Sequence, residues 1–260
     1  MYTFAVTGDD ADAGVRRLLS ALDGRVGLIR VGDAESDGGV AVARADTEYT
    51  IDDGYRVVGD GLDIEDAIDR LAPDHDYAAV VGAAETPLPT VVVGSGDADT
   101  ELLSVDGASA LDTDTAVEAI RNTEPHETLE SLVAEVKRSP RAERSGAIAT
   151  FTGRVRARDG EDDDRTHYLE FEKYEGVADE RMATIESELE RREGVLDVVL
   201  HHRTGRIPYG DDIVFVVVLA GHREEAFETV EDGINRLKDE VPLFKKEVTE
   251  EETFWVHERG

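Results

Sequence analysis

The chain contains no cysteine. Disulfides, thiolate metal sites and a cysteine nucleophile are therefore excluded, and any sulfur chemistry has to use sulfur carried by a partner or a substrate. Lysine is scarce: of 28 basic residues, only Lys137, Lys173, Lys238, Lys245 and Lys246 are lysines. Positive charge as a whole is short, with 28 Lys+Arg against 60 Asp+Glu and a formal charge of −32. Such a surface repels nucleic acid and anionic membranes. No apolar run approaches the ~20 residues needed to span a bilayer, and no signal-like segment opens the sequence. A soluble, cytoplasmic protein is the expectation.

The acid is not a sign of disorder, because the hydrophobic fraction is an ordinary 40%. Abundant Asp and a preference for Arg over Lys fit adaptation to high salt, where screening keeps an acidic surface tolerable. A halophilic, archaeal source is the compositional expectation. The length of 260 residues allows one large domain or two ordinary ones. We place a junction near residue 122, in the polar stretch Asn122 to Glu127 with Pro125 inside it.

Residues 1–122 alternate apolar strands with amphipathic helices. Strands are predicted over Met1–Thr7, Val26–Val31, Tyr77–Gly82 and Pro89–Gly94, and helices over Gly14–Leu22 and Ile64–Leu71. Strands that are apolar throughout belong in a mainly parallel sheet covered on both faces, so the first half reads as α/β. Residues 123–260 read as α+β with a mixed or antiparallel sheet. Helices are predicted over Thr128–Lys137, Ala178–Arg192 and Glu224–Glu240. Strands are predicted over Gly146–Arg158, Tyr168–Tyr174, Val195–Arg203 and Asp212–Ala220. In the last helix Phe227, Val230, Ile234 and Leu237 form the expected buried stripe.

Three groups of residues suggest chemistry. Arg154, Arg156 and Arg158 alternate along a predicted strand, so they share a face. Their guanidiniums suit a phosphate or carboxylate, but the pattern alone favours a solvated strand end with salt bridges. His222 and Arg223 stand where a strand runs through Gly221 into a helix. Free N–H groups and the helix dipole favour an anion there, and a capping role explains them equally well. Lys238, Lys245 and Lys246 fall within nine residues. Lys238 complements the C-terminal end of the helix dipole. Pro242 stops that helix near Glu240, so the dipole does not account for the two lysines beyond it. A crowded or buried lysine can serve as base or nucleophile, which an arginine cannot. His201 and His202 are adjacent on a strand and point to opposite faces, so they cannot share one metal ion and read as structural. No metal site is predicted.

Taken together, GAIATFTGRVR at 146–156, GHR at 221–223, LKDEVPLFKKE at 237–247 and Trp255-Val256 resemble the MoaE family, the catalytic (large) subunit of molybdopterin synthase, over residues 123–260. The resemblance implies conversion of cyclic pyranopterin monophosphate to molybdopterin by installing two sulfurs as a dithiolene. The sulfur arrives as a thiocarboxylate on the Gly-Gly tail of a small ubiquitin-like subunit, and no resident cofactor is implied. Two large subunits form a central homodimer with a small subunit at each end, a heterotetramer. By position, Lys238 and Lys245 are the implied catalytic residues. Arg154, Val155, Arg156, His222, Arg223, Lys246 and Glu247 are the implied substrate-binding residues, with Phe151 and Arg259 near the pocket. The turn from Asp159 to Asp164 is more acidic than the family pattern, and no histidine precedes Tyr174.

Residues 1–122 resemble MobB-type molybdenum-cofactor nucleotide proteins, through the opening strand with its glycine loop and YAAVVGAAETPLPTVVV at 77–93. The phosphate loop is degenerate. Gly8 and Gly14 are one residue too far apart, Val15 stands where the lysine belongs, and Asp9, Asp10 and Asp12 repel phosphate. A scaffold that has lost nucleotide hydrolysis is expected. A different class, a non-catalytic pterin- or nucleotide-binding regulatory module of the same pathway, remains as the alternative.

Overall fold

A computed structural model describes residues 1–32, 47–51, 53–59, 61–83, 85–158, 160, 164–174, 176–249 and 253–256. The chain divides into two compact units, Met1–Thr128 and Leu129–Gly260. The division falls six residues after the junction placed from the sequence. Residues 122–128 stay with the first unit because its N-terminus holds them: the His126 N–H donates to the Met1 carbonyl at 2.8 Å, and the Met1 ammonium lies 2.9 Å from Glu127 Oε1.

The first unit contains β1 (Tyr2–Thr7), α1 (Ala11–Ala21), β2 (Val26–Arg30), β3 (Thr47–Ile51), β4 (Tyr55–Gly59), α2 (Ile64–Leu71), β5 (Tyr77–Val81), β6 (Thr90–Val93), β7 (Glu101–Val105) and α3 (Thr113–Arg121). Five strands form one parallel sheet in the order β2-β5-β1-β6-β7. Alternating side chains divide its core in two. Phe4, Val6, Ala79, Val81, Val91 and Val93 pack with Val15 and Leu18 of α1 and with Val117 and Ile120 of α3. Ala5, Ala78 and Val80 pack on the other face with Ile68 of α2. Both faces are covered, which is why these strands carry apolar residues at every position. The β3–β4 hairpin and β7 were not legible in the sequence.

The turn between β1 and α1 is closed on itself. Gly8 has φ +100°, and a Cβ there would lie 2.2 Å from the Val93 carbonyl oxygen, so only glycine fits. Asp9 Oδ1 accepts the Ser95 N–H at 2.8 Å, and Asp10 Oδ2 accepts the Ala108 N–H at 2.8 Å. The turn's own carboxylates thus take up N–H groups of the neighbouring loops.

The second unit contains α4 (Leu129–Lys137), β8 (Ala147–Arg154), β9 (Thr166–Lys173), α5 (Val177–Leu189), β10 (Val195–His202), β11 (Gly205–Pro208), β12 (Asp212–Ala220), α6 (Arg223–Glu240), β13 (Leu243–Thr249) and β14 (Thr253–Val256). All of its strand pairs are antiparallel, in two sheets ordered β10-β12-β8 and β11-β9-β13-β14. β12 is central and buried along nearly its whole length. Val214, Val216 and Val218 join a core with Ile185 and Leu189 of α5 and Leu237 of α6. Phe215, Val217 and Leu219 face Leu132 and Val136 of α4. Each such aliphatic or aromatic side chain contributes about 1.5–3 kcal/mol on burial.

Two sequence readings are corrected here. The strand predicted to run to Arg158 ends at Arg154. Its pairing with β12 slips between Asp212 and Val214, and the backbone turns inward so that Val155 is 3% exposed. Val155 there exchanges hydrogen bonds with Asp211 and Gly210, each 2.9 Å long. Arg156 and Arg158 are therefore not strand residues. In α6, Phe227 is 65% exposed rather than buried. The buried face is Ala226, Thr229, Gly233, Ile234 and Leu237. Small residues let the helix approach the sheet closely, and a Cβ on Gly233 would stand 3.1 Å from Val216 Cγ1. A search for large apolar side chains misses that face.

Candidate active site

The second unit holds a cavity of about 400 Å³ where β8, β9, β12, the end of α6 and β13 converge. Leu237 anchors the last turn of α6 in the core, and the Val241 N–H donates to the Leu237 carbonyl at 3.1 Å. Pro242 prevents continuation, so α6 ends at Glu240. Lys238, one residue past the anchor, is exposed and lines the cavity.

Beyond the proline the chain forms β13, a strand that the sequence reading did not assign. Side chains alternate along a strand. Lys245 and Glu247 line the cavity, while Lys246 lies on the opposite face with its Nζ 2.8 Å from Glu170 Oε2. That hydrogen bond holds the Lys246 ammonium above the usual lysine range, against some desolvation. Lys246 is thus a paired cation that does not line this cavity. Glu247 Oε1 accepts a short hydrogen bond from the Thr166 hydroxyl, another lining residue.

Two arginines complete the polar wall. Arg154 at the end of β8 lies 3.1 Å from Asp212 Oδ1 through Nε and donates to the Gly210 carbonyl. Arg156 follows after the inward turn and lines the same cavity. Gly153 lets its β12 partner Val214 pack against the backbone, since a Cβ there would stand 2.6 Å from Val214 Cγ1. Phe151, Phe171 and Phe244 supply apolar wall. The result is a pocket with four cationic side chains, one carboxylate and aromatic surface, suited to a flat ligand bearing negative charge. Phe151 lines the cavity from β8. Val155 is not on the wall, because it is buried in the core. Arg158 does not reach the cavity.

His222 and Arg223 are elsewhere. His222 is the N-cap of α6 and Arg223 its first residue, both exposed. At about 1.5 Å per residue, Arg223 lies roughly 22 Å along the helix axis from Lys238. One chain does not bring them onto one small ligand. Arg259 lies outside the described residues, and so does most of the acidic turn from Asp159 to Asp164.

Sequence reasoning missed His202. It ends β10, is 5% exposed and lines the cavity. Its Nδ1 lies 2.7 Å from the Arg203 carbonyl, and its ring stands edge-on to Phe171 at 4.7 Å. His201, pointing the other way, stacks on Phe215. The alternation that ruled out a shared metal also sends one of the two rings to the cavity, a signal that was present in the sequence. Among the described residues no group of three or more His, Asp or Glu is placed to hold a metal ion, and no helix is long and apolar enough to cross a membrane.

Residues 123–240 match the family model described as "MoaE protein". A "probable molybdopterin synthase" of Haloferax volcanii is 47% identical over 264 residues, covering 100% of both chains. The chain belongs to the MoaE family. A molybdopterin synthase catalytic subunit of Ralstonia nicotianae is 38% identical over 44% of this MoaE-family chain and 64% of its own. One from Pyrococcus abyssi is 36% identical over 43% of this chain and 74% of its own. The crystal structure of molybdopterin synthase from Staphylococcus aureus superposes on 52% of this chain and 93% of its own, with 31% identity and a TM-score of 0.46. The Haloferax relative spans both units.

Proposed function

We propose that this chain is the catalytic subunit of a molybdopterin synthase, an enzyme that converts cyclic pyranopterin monophosphate to molybdopterin. The observation that carries the reading is the gathering of Arg154, Arg156, Lys238 and Lys245 on one cavity with an aromatic wall, in a chain 47% identical along its whole length to a probable molybdopterin synthase. A pterin is flat, and its cyclic phosphate is anionic. Phe151 and Phe171 offer the ring a surface, and the arginines offer the phosphate forked donors.

Two sulfurs have to enter, and a chain without cysteine has none of its own to give. The donor is a small ubiquitin-like subunit whose C-terminal Gly-Gly tail ends in a thiocarboxylate. Lys238, exposed as well as lining the cavity, meets that tail and polarises its carbonyl. Lys245 balances the charge that appears when the cyclic phosphate opens.

A second copy of the chain completes the site. The resemblance assigns His222 and Arg223 to the same pocket as Lys238, and one chain holds them roughly 22 Å apart. A homodimer reconciles the two: His222 and Arg223 of one protomer serve the cavity of its partner. With a small subunit for each cavity this makes a heterotetramer.

The first unit is a scaffold of degenerate phosphate-loop type without nucleotide turnover. The capture of the Ser95 and Ala108 N–H groups by Asp9 and Asp10 supports this, because it puts carboxylates where a nucleotide phosphate would need donors. Production of molybdopterin by the purified chain, its small subunit and the pterin tests the reading as a whole.

A further inference from the structure

Glu247 is the one carboxylate among the described residues of the cavity wall, and Arg154, Arg156, Lys238 and Lys245 line the same space. Lys245 stands two residues earlier on β13, on the same face. A glutamate side chain turns about three bonds, so an unheld Glu247 could fold onto one of these cations. It would then mask a charge meant for an anionic ligand and offer that ligand no acceptor. What holds it is the hydroxyl of Thr166, which donates to Oε1.

The backbone is shaped to bring that hydroxyl in. Along β9 and β13 the pairs Phe171–Lys245 and Leu169–Glu247 share the cavity face. Unbroken alternation would put His167 on that face next and turn Thr166 away. The register instead shifts between Val248 and Thr249: Tyr168 pairs with Val248, Thr166 pairs with Thr249, and His167 is passed over. A bulge of this kind re-aims a side chain. His167 is exposed, while Thr166 is 4% exposed and lines the cavity. The Thr166 N–H donates to the Ala157 carbonyl at 2.9 Å. One residue therefore ties Glu247 to the segment that carries Arg156.

We propose that Thr166 is a positioning residue of this site: its hydroxyl holds the Glu247 carboxylate where it takes the amino group and adjacent ring N–H of the pterin, and so sets which heterocycle is accepted. This deepens the proposed function and rests on it. A carboxylate has about four lone-pair positions, so the bond from Thr166 leaves capacity on both oxygens for two parallel N–H donors. The lysines and arginines around it only donate. They suit the phosphate end of the ligand, and the ring's donors fall to Glu247.

The test uses the full chain with thiocarboxylated small subunit and cyclic pyranopterin monophosphate. Thr166→Val keeps the shape of the side chain and removes the hydroxyl. KM for the pterin should rise about tenfold, with a smaller fall in kcat. Thr166→Ser restores the hydroxyl and should stay within about threefold of wild type. In a Glu247→Ala background, Thr166→Val should add less than about twofold, because the two residues act as one unit. An analogue with oxygen in place of the ring's amino group should lose about tenfold or more in kcat/KM with wild type, and less with Thr166→Val. A KM within about twofold of wild type for Thr166→Val overturns the proposal. So does an undiminished rise in the Glu247→Ala background, or a serine variant as impaired as the valine one, because a threonine that only packs behaves in that way. Conversion of the analogue as efficiently as the substrate by wild type, or equal rejection of it by wild type and Thr166→Val, overturns it too. If thermal melting shows that Thr166→Val does not fold, Thr166→Ala replaces it under the same criteria. Absence of molybdopterin with the wild-type chain would instead contradict the proposed function.

Discussion

Lys245 and Lys246 are adjacent in sequence and face opposite ways from β13: Lys245 lines the cavity, and Lys246 Nζ sits 2.8 Å from Glu170 Oε2. Neighbouring amines in one acidic protein therefore have different work. Lys245→Ala should lower molybdopterin formation by about 10²-fold or more, the loss expected when charge stabilisation in a transition state is removed. Lys246→Ala removes a half-buried ion pair that lies off the cavity and should change activity and melting temperature little. Equal losses in the two variants would contradict the alternation.

Lys238→Ala should abolish dithiolene formation, by about 10²-fold at the least, while the melting curve stays close to wild type. The side chain is exposed and lies beyond the Leu237 anchor, so the core does not depend on it. Near-normal product formation would remove Lys238 from the mechanism.

Arg223→Ala and Lys238→Ala should complement each other. Each variant alone lacks one half of every site. Random reassortment of two such chains into symmetric dimers gives half mixed dimers, each with one complete site, so about a quarter of wild-type activity should return. No recovery after verified exchange of subunits would mean that His222 and Arg223 do not serve a partner's cavity.

Glu186 of α5 gives a stability test independent of catalysis. Burial pushes its carboxyl up to about 7; the Leu200 N–H opposes this, and Glu135, Glu190 and Asp197 add to the rise. The unfolded chain ionises it near 4.5. The folded state thus holds the proton more tightly, and its contribution to stability is lost as pH rises from about 4.5 to about 7. Glu186→Gln keeps an acceptor for the Leu200 N–H without the charge. It should stabilise the second unit at pH 8, on the order of 1–3 kcal/mol, with the difference closing towards pH 4.5. A melting-temperature difference independent of pH over that range would contradict the assignment.

Much of this was legible in the sequence, for physical reasons that differ by element. β12 was read residue for residue because both of its faces are buried, and a run from Ile213 to Ala220 has no polar break. α2 was read as well, from the stripe of Ile64, Ala67, Ile68 and Leu71, and the structure adds an Asp63–Asp66 capping box at its start. β13 was not, since Leu243 to Thr249 carries two lysines and a glutamate, and polar side chains mask a strand that faces a charged cavity on one side. The end of β8 failed for another reason: nothing in Arg154 to Arg158 announces the slip against β12 that buries Val155. Residue types at the site were visible, and the helix predicted over Glu224–Glu240 already implied the separation of Arg223 from Lys238 that the 18-residue α6 shows.

The first unit should bind no nucleotide. Titration calorimetry with ATP or GTP should give no heat of binding, because Asp9 and Asp10 hold the N–H groups of Ser95 and Ala108. Measurable binding would overturn the scaffold reading.

The most direct test of the central claim is a reconstitution. Purified chain, thiocarboxylated small subunit and cyclic pyranopterin monophosphate are combined at high salt, and the pterin product is assayed. The account predicts molybdopterin carrying two sulfurs per pterin, with two small subunits converted to their carboxylate form for each one made. Recovery of unchanged pterin, with the thiocarboxylate intact and both proteins folded, would contradict it.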